Sequence, residues 1–95
     1  MLQLQRMPSK MYNLPFTDLK QVTLDFSTST ILKALGEPKT VKVPFFGTIS
    51  RYIFKHQDEY ATLEYMDSKW ILTYTGETIK TELINGIHSI QATEV

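Results

Sequence analysis

Ninety-five residues without a single cysteine exclude a disulfide scaffold and thiolate chemistry. With 42% hydrophobic and 21% charged residues, the composition is that of a globular domain, not a disordered tail. A formal net charge of zero excludes a global field that would draw in nucleic acid or an anionic membrane, although residues 1–47 hold six basic residues against three acidic and residues 48–95 four against seven.

Residues 1–16 show no hydrophobic period and are interrupted by Pro8 and Pro15, so they read as a flexible or loosely docked arm with room for one edge strand. A single α+β domain is expected over 17–95. No apolar run of signal-peptide length lies within Met1–Phe16, and no segment approaches the roughly 20 apolar residues of a membrane span. As written the chain reads as cytoplasmic, with export open if a leader has been trimmed.

Val22, Leu24 and Phe26 are spaced by two, which suits a short half-buried strand or extended lead-in. Ser27 or Ser29 then offers a side-chain oxygen to the free N–H groups of a helical first turn. Ile31, Leu32 and Leu35 fall on one helical face, Gly36 suits the position after the last turn, and Pro38 stops the helix, which is predicted over 28–35. Two turns are not stable alone in water, so this helix must dock by its Ile/Leu face.

Everything after Pro38 reads as strands. Thr40–Val43 is β-branched and extended, Pro44 ends it or marks a sheet edge, and residues 45–47 bend the chain. In 48–55, Ser50, Tyr52 and Phe54 share one side, while Ile49, Arg51, Ile53 and Lys55 share the other. A polar turn at 56–59 leads into a hairpin of 60–66 and 70–75 about Asp67-Ser68-Lys69. Its loop leaves two or three residues unpaired; the preferred register sets Leu63 and Tyr65 beside Leu72 and Tyr74. After a turn at Gly76-Glu77, strands 78–84 and 87–93 are predicted to flank Asn85-Gly86, a strong hairpin dipeptide. Ile84 would then pair with Ile87, Leu83 with His88, Thr81 with Ile90 and Ile79 with Ala92. The expected fold class is α+β: a short helix packed on a 4–6-stranded antiparallel meander sheet.

Catalytic, cofactor-binding and metal-binding signatures are not found. His56 and His88 lack a zinc spacing, and neither Asp58-Glu59 nor Glu77 with Glu82 is held at a defined separation by sequence alone. Capping explains the Ser27–Thr30 run, and four glycines, one per turn or cap, leave no phosphate-cradling loop. The chain is therefore expected not to be an enzyme and to use no cofactor. Tyr52, Phe54, Tyr60, Tyr65, Trp70 and Tyr74 fall on adjacent predicted strands. Core packing is their plain use. Any that face solvent would form the aromatic patch typical of a protein-binding hot spot. Stacking on nucleic acid would need basic neighbours, and these strands carry Asp58, Glu59 and Glu64 instead.

The stretch Thr30-Ile31-Leu32-Lys33-Ala34-Leu35-Gly36-Glu37-Pro38, followed by the strands 51–55, 60–66 and 70–75, resembles the helix and Leu-Gly-x-Pro signature of β-lactamase-inhibitor-protein-like and BamE-type outer-membrane-assembly lipoprotein domains. The resemblance covers about residues 19–75. It implies a helix-plus-sheet domain that binds protein partners without enzymatic activity. The lipid-accepting cysteine of the lipoprotein members has no counterpart here. The expectation is a protein-binding module, of inhibitor or immunity type, that uses its exposed sheet face and turns through Tyr60, Tyr65, Asp67, Trp70 and Tyr74. Its partner would be a protein, with neither nucleic acid nor membrane engaged. The alternative is a structural accessory or phage protein that forms a homodimer through its arm and the edge strand at 41–43.

Overall fold

A computed structural model of the chain describes residues 19–45 and 47–93, together with the backbone of Gln5 and Arg6. The elements in chain order are β1 (Gln5–Arg6), β2 (Lys20–Leu24), α1 (Thr28–Leu35), β3 (Lys39–Val43), β4 (Gly47–His56), β5 (Glu59–Met66), β6 (Lys69–Tyr74) and α2 (Glu77–Gln91). The fold is α+β. Its sheet is antiparallel throughout, in the order β1-β4-β5-β6-β2, with β3 also paired to β4. β3 takes residues 47–51 of β4, and β1 takes Phe54 and Lys55 farther along the same edge. The predicted arm over 1–16 lies, apart from β1, outside the described residues.

α1 has the predicted bounds. Ser27 Oγ accepts from Thr30 N at 3.1 Å, and the Gly36 N–H donates to Leu32 O at 2.8 Å. Gly36 needs its missing side chain, because its φ is +80°. Its carbonyl accepts the hydroxyl of Tyr52, which ties the end of the helix to the centre of the sheet.

β4, β5 and β6 form a meander joined by two-residue turns, Gln57-Asp58 and Asp67-Ser68. Leu63 pairs with Leu72 as expected, and the large residues share one face; Tyr65, however, lies opposite Trp70, and Tyr74 opposite Ala61, because the turn takes only Asp67 and Ser68. That face is completed by Tyr52, Phe54 and Tyr74 and by Leu24 of β2. Both helices cover it. Ile31 of α1 and Ile79, Leu83 and Ile87 of α2 are fully buried against the sheet residues.

The predicted C-terminal hairpin is not present. Residues 77–91 form one helix that runs straight through Asn85-Gly86. Ile79, Leu83 and Ile87 recur every four residues, which puts them on one helical stripe. Burying that stripe outweighs the roughly 1 kcal/mol that Gly86 costs in a helix. His88 therefore does not face Leu83 across a hairpin. It is exposed on α2, with Nδ1 3.2 Å from Gln91 Oε1.

The second sheet face is not a simple wet face. Ile49, Ile53, Thr62, Glu64 and Thr73 are buried on it. Arg51 and Glu64, partners in the β4–β5 register, form an ion pair there, with Arg51 Nε donating to Glu64 Oε2 at 2.6 Å.

Candidate functional site

The six aromatics of the meander do not share an exposed face. Tyr52, Phe54, Trp70 and Tyr74 belong to the buried core under the helices. Tyr60 lies on the opposite face near the Gln57-Asp58 turn, with Lys55 Nζ 5.7 Å from its ring centre. The expected partner-binding set is thus split. Tyr65, Asp67 and Trp70 gather at one end of the sheet, while Tyr60 and Tyr74 sit toward the other. An aromatic sheet face gives way to a site at the sheet's end.

That end holds a cleft of about 490 Å³ between the β2–α1 connection and the β5–β6 turn. Its walls are Leu24, Phe26, Tyr65 and Trp70, with Asp25 and Lys69 among its polar groups. Each wall has a local cause. Leu24 pairs with Trp70 as the last residue of β2. The short connection 25–27 then turns the chain onto α1, leaving Phe26 half-buried beside the core. Trp70 is 3% exposed; its Nε1–H donates to Thr28 Oγ1 at 3.1 Å, which locks the indole to the first turn of α1. Tyr65 is 36% exposed, and its ring packs on that indole with centroids 5.1 Å apart. A rigid tryptophan floor thus carries a tyrosine that solvent still reaches.

The turn beside the cleft is conformationally costly. Asp67 and Ser68 have φ of +53° and +62°, the pair of left-handed values that a two-residue hairpin turn demands and that glycine or asparagine adopts at least cost. Two of the cleft's hydroxyls are engaged in structure: Ser27 caps α1, and Thr28 accepts from Trp70. No group of three or more His, Asp or Glu residues that could hold a metal occurs among the described residues. No described helix is long and apolar enough to cross a membrane.

Of the residues singled out from the sequence, Tyr65 and Trp70 line this cleft and Asp67 lies in the turn beside it, whereas Asp25, Phe26 and Lys69, which also line it, were not singled out. Phe26 read as the third alternating residue of a strand, yet β2 ends at Leu24. The available signal was the cap itself: helix entry at Ser27 requires the chain to leave the sheet before it, which frees residues 25 and 26 to line an opening. No protein-family model, curated protein or solved structure matches this chain.

Proposed function

We propose that the chain is a non-enzymatic protein-binding module whose docking site is the cleft at the β5–β6 end of the sheet. The observation that carries this reading is the Tyr65–Trp70 pair, a half-exposed aromatic ring seated on a buried indole beside a concave opening. Such anchors, rigid and amphipathic, supply most of the energy of protein–protein contacts. The cleft suits a short segment with one bulky apolar side chain, its flanking polar groups meeting Asp25, Ser68 and Lys69. An inhibitor or immunity role agrees with the resemblance of the Thr30–Pro38 stretch and stays within the proposal.

A photo-crosslinking residue in place of Tyr65 tests the reading. It is expected to capture a defined protein segment that the same residue at Thr81, on the exposed side of α2, does not capture. The purified interaction should weaken at least tenfold in Tyr65→Ala. Equal capture from both positions, or an affinity indifferent to Tyr65→Ala, would sink it.

The alternative is self-association through the arm and the edge strand at 41–43. It is favoured by the outer edge of β3, which has no further strand beside it among the described residues. Lys39 and Lys42 on that strand oppose it, since lysines are a common guard against edge pairing.

A further inference from the structure

We propose that the group taken by the cleft is Phe45, just past the end of β3, supplied reciprocally by a second copy of this chain. The inference rests on reading the cleft as a protein-docking site and names its occupant.

Phe45 stands out in the molecule. It is 106% exposed, more than any other large hydrophobic residue described, and its φ is +71°. A bulky side chain is a rare occupant of that backbone region, and exposing a phenylalanine forgoes its transfer energy. Neither cost is offset by the turn, because the described residues leave Phe45 uncovered.

The register places this knob and the cleft at the same end of the sheet. Ser50, Tyr65, Trp70 and Leu24 form one row across β4, β5, β6 and β2. β4 continues three residues beyond that row to Gly47, whereas β5 turns after only one more residue, Met66. At about 3.3 Å per residue the β3–β4 apex overhangs the β5–β6 turn by roughly two residues' rise. The apex stands over β4, and the cleft lies two to three strands away, beside β6 and β2.

A two-fold axis normal to the sheet, passing between apex and cleft, brings two such ends face to face. Each overhanging Phe45 then meets the other copy's cleft. One knob and one hole on each chain, related in this way, give a closed dimer and not a filament. Lys42, exposed one pair from the hairpin end, would approach a cleft lined by Asp25 and bordered by Asp67 of the adjoining turn, two carboxylates against the single cation of its lining, Lys69.

The test is the solution mass of the full chain from micromolar to millimolar concentration, by sedimentation equilibrium. The mass is expected to rise from 11.0 kDa toward twice that value. Phe45→Asp should hold it at the monomer value with an unchanged circular dichroism spectrum, since the side chain is fully exposed within its own copy. Lys42→Glu or high salt should shift the midpoint to higher concentration. A photo-crosslinker at position 45, in a mixture of isotopically light and heavy chains, should join Phe45's position to residues 23–28 or 65–70 of the other copy. A monomer throughout the series overturns the inference, as does a dimer indifferent to Phe45→Asp. If Tyr65-dependent capture of another protein survives in a monomeric chain, only the identity of the occupant fails. If that capture is lost as well, the cleft reading fails with it.

Discussion

Single residues show where the fold accepts a cost. Thr62 is fully buried on the second sheet face, and its hydroxyl has no hydrogen-bond partner among the described residues. A buried donor without a partner costs about 1–3 kcal/mol, and an isosteric methyl removes the cost without opening a cavity. Thr62→Val should therefore raise the urea midpoint, corresponding to about 1 kcal/mol of added stability; a lowered midpoint would mean that the hydroxyl is satisfied. The turn at Asp67-Ser68 is a second case, with both residues left-handed. Asn-Gly fits that turn, so Asp67→Asn with Ser68→Gly should stabilise by about 1 kcal/mol. The same double change should alter the Tyr65-dependent interaction if the turn belongs to the cleft wall. Strain kept at a site where a cheaper sequence exists is a mark of use, and the paired measurement separates use from accident.

Among elements, α2 is the one that sequence patterning misassigned, and its two ends show why it forms. Gly76 precedes its first turn without a side-chain cap of its own. The cap comes from another element: Glu59 Oε1, at the start of β5, accepts from Ile79 N at 2.9 Å. A β-carbon on Gly76 would lie 2.4 Å from the Glu59 carboxylate carbon, so Gly76→Ala can be accommodated only by expelling the cap. Losing such a cap costs about 1 kcal/mol. Glu59→Ala and Gly76→Ala should each destabilise by about that amount, and the double variant by little more than either, a coupling that a denaturation cycle reads directly. Additive losses would show that the two positions act separately. Glu77 also holds Lys80, 3.1 Å away, and its hydrogen bond and charge raise the ammonium above its ordinary 10.5. That contribution is complete below the ordinary lysine value and is lost as pH rises through the raised one, so it is fully present at neutral pH and gives stability no pH dependence there. α1 was legible because its whole logic is local: Ser27, the Ile31–Leu35 face, Gly36 and Pro38 all speak within one stretch. α2 was not, because its cap sits twenty residues away and the Asn85-Gly86 dipeptide carries a strong local signal for a turn. Asn85→Ala distinguishes the two structures: it should stabilise a helix by about 0.5 kcal/mol and would weaken a hairpin.

At the scale of the whole molecule, the chain is a local meander closed by distant pieces. β4–β5 and β5–β6 are joined by two-residue turns, whereas β2 pairs with β6 across Lys20 and Tyr74, Leu24 and Trp70. The candidate site inherits this division. Tyr65 and Trp70, with Asp67 in the turn beside them, come from the meander and were legible in the sequence as a hairpin end; Leu24, Asp25 and Phe26 reach them only by the long-range pairing of β2, which no local pattern announces. Bringing β2 to β6 requires closing a long loop before any contact rewards it. The meander should therefore be formed in the folding transition state, with β2 and α1 docking afterward. Trp70 is the single tryptophan, and its indole is held by Thr28 in register with Leu24, so its fluorescence reports that docking. Leu24→Ala is expected to cost about 2–3 kcal/mol, nearly all of it as faster unfolding. Ile53→Val, in the β4–β5 pair, should cost about 1 kcal/mol and appear mainly as slower folding. Stopped-flow chevrons of the two variants decide the order. If Leu24→Ala slows refolding in proportion to its loss of stability, β2 is part of the nucleus, and the cleft is assembled with the sheet rather than after it.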